Sequence, residues 1–189
     1  MAYFVVVILV AHWFAQPEYA WTNNTISELA AQGHANKWIM QAGFIGFGAI
    51  LAASIIYYLT KNPRLYFLYP VAIYGLSILL AGIFCTAPID PFIPYSESEA
   101  NLHSIFATIA GLAMTLAIVV QIIFSANGDE RAMRILFLLL VMGFSALFGM
   151  AENQVVPIDK GIIQRLLYLS GLAWLVYEEL SLLLSALSH

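Results

Sequence analysis

Glu28, Asp90, His103 and Arg165 lie far apart in the chain, yet each falls where a polar segment meets a long apolar run. Their types make a set that does chemistry. A histidine moves protons near neutral pH, and carboxylates beside it can orient the ring or share a divalent cation such as zinc. An arginine nearby would hold an anionic group or a developing negative charge. These four are the candidate catalytic residues, with His103, Asp90 and Glu28 also the candidate metal ligands. Ser27, Asn36, Glu152 and Tyr168 occupy the same junctions and are the expected substrate contacts. Other assignments of the same residues stay open. Ser27, His103 and Asp90 can be drawn as nucleophile, base and orienting acid, although no G-x-S-x-G elbow is present. His12 and His103 can be drawn as two axial haem ligands, provided they face each other at equal depth. No H-E-x-x-H occurs and no two histidines stand four apart, so the metal signal rests on residue type alone.

The elements that must position these residues are membrane helices. Of 189 residues, 62% are hydrophobic and 10% charged, with a mean hydropathy of +0.86. An ordinary soluble domain carries about 25% charged residues. A net charge of −4 lacks the basic stripe that nucleic acid requires. The single cysteine, Cys85, excludes an intrachain disulfide and a Cys-rich metal site, and reads as a buried, inert thiol. Apolar runs of about 20 residues are membrane spans. Six are expected, over about 2–15, 39–60, 65–86, 102–125, 132–150 and 162–186, in one integral-membrane domain covering 1–189. The first is short: at about 1.5 Å per residue it reaches about 21 Å of a roughly 30 Å core. The expected fold class is therefore all-α, a polytopic bundle of six transmembrane helices.

Charge sets the expected orientation. The turns at 61–64 and 125–134 carry Lys61, Arg64, Arg131 and Arg134, whereas the loops at 16–38, 87–101 and 151–161 are longer and acidic. The positive-inside rule puts the basic turns and both termini in the cytoplasm. All the candidate site residues then fall at the outer face. Trp13, Trp21, Trp38 and Tyr95 mark that boundary as an aromatic belt.

Each candidate also has a purely structural explanation. Thr25-Ile26-Ser27-Glu28 is a capping box, so Glu28 can simply reach back to the Thr25 amide. Such a cap predicts a short interfacial helix over 26–32, stopped by Gly33 and facing lipid or the bundle with Ile26, Leu29 and Ala30. Ser96-Glu97-Ser98-Glu99 repeats the pattern before the fourth span. Glu152 and Arg165 are expected to pair across antiparallel helices. Glu178 and Glu179 are expected to be solvated at the cytoplasmic end. Gln164, Tyr168, Gly171 and Glu178 share one face of the sixth span. Ser104, Thr108, Gly111 and Thr115 share one face of the fourth, which is either a close helix–helix seam or a cavity wall.

The chain resembles the bacterial multi-pass proteins grouped as domain of unknown function 998. The resemblance is carried by Pro17-Glu18-Tyr19, Thr25-Ile26-Ser27-Glu28-Leu29, Asn36, Gly43-Phe44, Gly82-Ile83-Phe84, Asp90, Leu102-His103, Gly161-Ile162-Ile163-Gln164-Arg165-Leu166 and Trp174. It departs from the family where Phe84-Cys85 stands for a frequent Phe-Pro. The resemblance implies a six-helix membrane fold and marks Ser27, Glu28, Asp90, His103 and Arg165 as motif positions. It implies no activity. Three functions remain open: an intramembrane hydrolase acting on a lipid or small amphiphile, a non-catalytic lipid-binding, sensing or transport-type protein, and a haem-linked electron carrier. Membrane lipids are the expected partners and self-association is left open. No cofactor is required by the sequence, though a divalent metal would fit the residue types.

Overall fold

The computed structural model describes the backbone of residues 1–187 and the side chains of residues 1–181. Those residues form helices and connections with no strand: α1 (Ala2–Trp13), α2 (Lys37–Lys61), α3 (Tyr69–Ile83), α4 (Glu97–Ile123), α5 (Gly128–Glu152) and α6 (Lys160–Leu187). Among the described residues four segments are long and apolar enough to cross a membrane, namely 37–61, 63–83, 97–123 and 128–152, and α1 is a shorter apolar helix.

The ends differ from the apolar runs for local reasons. Helix α4 begins five residues before the expected 102 because the Ser96 hydroxyl accepts from the Glu99 amide (3.3 Å). Helix α5 begins at Gly128 because the Asn127 side chain accepts from the Glu130 amide (2.8 Å). Residues Pro63–Leu68 form a 3₁₀ turn capped by Asn62, so α3 starts at Tyr69 and not at the expected 65. The helix expected over 26–32 is a single 3₁₀ turn, Ser27–Ala30, closed by Gly33 at φ +80°. Its Ile26, Leu29, Ala30 and Ala31 are all buried, so this turn plugs the bundle rather than lying against lipid.

Consecutive helices pack side by side, and α6 returns to α1 through the Phe4 and Tyr168 rings (5.9 Å). Phe4 also stacks on Phe47 (4.7 Å), and with Met40, Phe44, Leu29, Ile118 and Trp174 it anchors the core. The α2–α3 seam is the closest. A Cβ at Gly48 would sit 2.5 Å from both the Gly75 carbonyl oxygen and the Leu79 nitrogen. The middle of α4 is the opposite case: a Cβ at Gly111 meets nothing within 4 Å, nor does one at Gly143 or Gly149 on α5. The Ser104–Thr108–Gly111–Thr115 face is thus a cavity wall and not a seam.

One end of the bundle carries the short connections at 62–68 and 124–127 (the turn end), and the other carries the loops at 14–36, 84–96 and 153–159 (the loop end). At the turn end α4, α5 and α6 are tied by buried polar groups. Arg134 Nε and Nη2 donate to the two Glu178 carboxylate oxygens (2.7 and 2.8 Å), and Arg134 Nη1 donates to the Ser125 hydroxyl (2.9 Å) and the Gln121 carbonyl (3.3 Å). Trp174 Nε1 donates to the same Glu178 carboxylate (3.1 Å). Glu178 is therefore buried and paired, not solvated; only its neighbour Glu179 is exposed.

The two glycine environments make opposite predictions for one chemical change. Gly48→Ala should cost about 1–3 kcal/mol, because backbone and not a flexible side chain blocks the new methyl. Gly111→Ala should stabilise by about 0.5–1 kcal/mol through helix propensity. Thermal unfolding midpoints of the two variants in one detergent check both signs.

Candidate functional site

The wall left by α4 belongs to a cavity of about 610 Å³ between α3, α4, α5 and α6, with Phe44 of α2 contributing to it. Its depth is set by the aromatic and small residues of facing helices: Tyr74 on α3, Met114 on α4, Val141 on α5, and Tyr168 and Gly171 on α6. Below that level Ala117, Ile118 and Trp174 are fully packed, so the cavity is closed toward the turn end. Toward the loop end it is lined by Ser27, Glu28, Thr86, His103, Glu152 and Lys160. The hydroxyls of Ser104, Thr108 and Thr115 are turned back to carbonyls of their own helix, at 3.1, 2.9 and 3.0 Å. The wall they form presents methyl and backbone surface more than free hydroxyls.

His103 is held from one side. Its Nδ1 lies 2.7 Å from the Ala81 carbonyl and 3.0 Å from the Phe84 carbonyl, the last acceptors of α3. Carbonyls only accept, so Nδ1 carries the proton. Nε2 makes no hydrogen bond among the described residues. The loop beside it is fixed by Gln32, whose side chain accepts from the Ser96 amide (2.8 Å) and donates to the Ser96 and Cys85 carbonyls (3.0 and 3.3 Å). The Glu99 carboxylate does not complete a capping box with Ser96; it accepts from the Cys85 amide (2.9 Å). Cys85 is buried, and burial raises its thiol pKa above the usual value, which keeps it an inert thiol.

Glu28 faces both ways. One carboxylate oxygen accepts from the Thr25 amide and from Asn24 Nδ2 (3.2 Å), while the Thr25 hydroxyl accepts from the Glu28 amide (3.2 Å). The capping box is formed. The other oxygen accepts from Lys160 Nζ (3.3 Å), which also pairs with Glu152 (3.2 Å). Burial alone would lower the Lys160 pKa; the two carboxylates outweigh it and hold it above the ordinary lysine value. The expected Glu152–Arg165 pair is therefore not made, because Lys160 at the start of α6 reaches Glu152 first.

Arg165 turns instead toward α1. Its Nη1 donates to the Asn24 and Gly161 carbonyls (2.9 and 2.8 Å), and its Nη2 to the Tyr19 hydroxyl and to His12 Nε2 (2.8 Å). His12 Nδ1 donates to the Ile8 carbonyl (2.7 Å). Burial raises the Tyr19 pKa, against the pull of Arg165, so the phenol stays protonated and donates to the Thr25 carbonyl (3.1 Å). Helix α6 reaches this position because Gly161 packs directly beneath the carbonyls of Trp21, Thr22 and Asn24, where a Cβ would collide. Arg165 and His12 line a separate apolar groove of about 300 Å³ between α1 and α6.

The structure thus brings Glu28, His103, Ser27, Glu152 and Tyr168 to one cavity and leaves four of the expected residues outside it. Arg165 and His12 belong to the other groove. Asp90 closes a turn by accepting from the Phe92 amide (2.9 Å). Asn36 accepts nothing at the cavity; its amide donates to the Phe14 carbonyl (3.3 Å) and joins α1 to α2. The Ser27–His103–Asp90 relay is not formed, since His103 Nδ1 is bound to carbonyls. Haem does not fit His12 and His103: both ring nitrogens of His12 are engaged and the two histidines open onto different cavities. Among the described residues no three His, Cys, Asp or Glu side chains stand close enough to hold a metal ion. Lys160, Gln164, Thr86 and Tyr74 were not among the expected contacts. Gln164 had a signal, because it shares a helix face with Tyr168 and Gly171; its side chain also accepts from the Ile26 amide (2.6 Å) and locks the first loop onto α6.

Residues 1–177 match the family described as a protein of unknown function (DUF998). The chain belongs to that family. No curated protein and no solved structure matches it. In this DUF998 chain the motif residues do separate jobs: Glu28 and His103 flank the cavity, Arg165 ties α6 to α1, and Asp90 shapes a loop.

That division predicts unequal costs. Arg165→Ala should destabilise by about 1.5–3 kcal/mol, because it strips charge-assisted bonds from three segments at once. Asp90→Ala should stay within about 1 kcal/mol, the value of one exposed turn bond. Unfolding midpoints measured side by side check the ranking, and equal losses would place Asp90 in a contact network of its own.

Proposed function

We propose that this protein is a non-catalytic binding protein for a lipid or small amphiphile, held in the cavity between α3, α4, α5 and α6. The observation that carries this is the cavity's shape and lining: about 610 Å³, apolar along its walls, closed at the turn end and polar at the loop end. That volume lies within the roughly 300–1,000 Å³ of small-molecule sites, and the division into apolar body and polar mouth matches an amphiphile. All six helices cross the bilayer in this reading. Lys61, Arg64 and Arg131 at the turn end put that end and both termini in the cytoplasm of the inner membrane, and the mouth at its outer face. A ligand enters sideways from the outer leaflet, past the bare α4 wall at Gly111.

A hydrolase is the second reading, favoured by His103, which has an oriented ring and a free Nε2 at the mouth. The α4 hydroxyls beside it are committed to their own helix, so this reading would draw its nucleophile from a water or from Ser27 or Thr86 of the lining. The haem carrier is set aside for the reasons of geometry given above.

Filling the cavity tests the binding reading. Gly111→Phe adds a ring at a cavity-lining position where a Cβ meets nothing within 4 Å. Native mass spectrometry of wild-type protein released from membranes should show a bound amphiphile, and Gly111→Phe should reduce its occupancy about tenfold at an unchanged unfolding midpoint. Equal occupancy in a folded variant would count against the cavity as the binding place.

A further inference from the structure

Resting on the cavity reading above, we propose that the cavity selects an amphiphile whose head donates hydrogen bonds and bears no negative charge, a hydroxyl or an ammonium and not a carboxylate or phosphate. Three observations lead there. First, the neutral ring of His103 presents an acceptor to the cavity. Its Nδ1 proton is committed to the Ala81 and Phe84 carbonyls, at 2.7 and 3.0 Å, so Nε2 offers a lone pair at the mouth. Second, the charged side chains of the lining are Glu28, Glu152 and Lys160, which sum to −1, and Lys160 is already bound to both carboxylates. The Glu152 side chain is 49% exposed and keeps acceptor capacity to spare. Third, the other two cations at the loop end stay out of the cavity lining: Lys37 lies beside Cys85, and Arg165 is spent on other partners. Arg165 directs four donors to His12, Tyr19, Asn24 and Gly161, and it lines the α1–α6 groove instead.

An anionic head would meet a lone pair and a net negative charge with no free cation in the lining, and a partly desolvated mouth screens that repulsion poorly. A hydroxyl or ammonium would find His103 Nε2 and the Glu152 carboxylate as acceptors, while its chain ran down the wall past Ala107, Gly111 and Met114. The ring of His103 is then a specificity device, and its carbonyl clamp on α3 is what keeps the lone pair outward.

Three probes of one chain length isolate the head: palmityl alcohol, palmityl amine and palmitate. Each is titrated at neutral pH against wild-type protein in lipid nanodiscs loaded with Nile red, with empty nanodiscs as reference. The alcohol and the amine should displace the dye at concentrations about tenfold or more below palmitate. Glu152→Gln, on a half-exposed side chain, should narrow the amine–palmitate gap several-fold while leaving the alcohol within about twofold. An amine advantage that disappears in Glu152→Gln assigns the ammonium; alcohol and amine binding alike assigns simple donation; both support the proposal. Palmitate binding as well as or better than the other two overturns the head selectivity and leaves the cavity reading standing. Failure of all three to displace the dye overturns both.

Discussion

The Arg134 guanidinium and the Glu178 carboxylate meet face to face, 2.7 and 2.8 Å apart, inside the turn end of the bundle. Neither group is tolerable alone at that depth, where an unpaired charge is costly. They are acceptable together because Ser125, Gln121 and Glu130 accept from Arg134, and Trp174 donates to Glu178. The pair draws from α5 and α6, and its partners from α4 and α6, so three helices share one fixed point. The remainder of the architecture follows from having that point at one end only.

Away from it, α4 and α5 have little to hold them together. Gly111 faces the open cavity, and the loop-end polar groups bind neighbours other than each other across this gap. Lys160 ties α6 to the first loop and to the end of α5; Arg165 ties α6 to α1; His103 ties α4 to α3. Each contact closes the bundle's outer ring, and together they leave a cavity at its centre. The loop plug of Ser27–Ala30 sits at the rim of that cavity through its capping box and through Gln164. Structure and site are therefore one problem here: the residues that look catalytic are mostly the residues that hold the mouth.

Much of this was legible in the sequence. Runs of apolar residues gave the helices to within a few residues, because hydrophobic length is what a bilayer selects. The family resemblance over nearly the whole chain is matched by the family assignment of residues 1–177. The capping box at Thr25–Glu28 was correct because it is a local interaction. Pairings between distant segments were not legible. Glu152 and Arg165 lie at the right ends of adjacent helices, yet Lys160 intervenes, and sequence carries no sign of which cation arrives first. Glu178 looked solvated because it is one of two adjacent glutamates near a chain end; only the position of Arg134, 44 residues earlier, shows it to be buried. The face of α4 could be read as seam or cavity, since small residues serve both, and only the placement of α5 decides it.

The central claim is a bundle clasped at the turn end and open at the loop end. Spin labels at Ile123 and Met133 report the α4–α5 separation near the clasp, and labels at Thr108 and Ala146 report it near the mouth; all four positions are exposed. In lipid nanodiscs, pulsed electron resonance should give a short, narrow distance for the first pair and a longer one for the second. Glu178→Ala should broaden the first distribution, because it removes the bidentate partner and leaves buried Arg134 only the longer Glu130 contact at 3.3 Å, within its own helix. Equal separations at both ends, or a turn-end distance indifferent to Glu178→Ala, would contradict the claim.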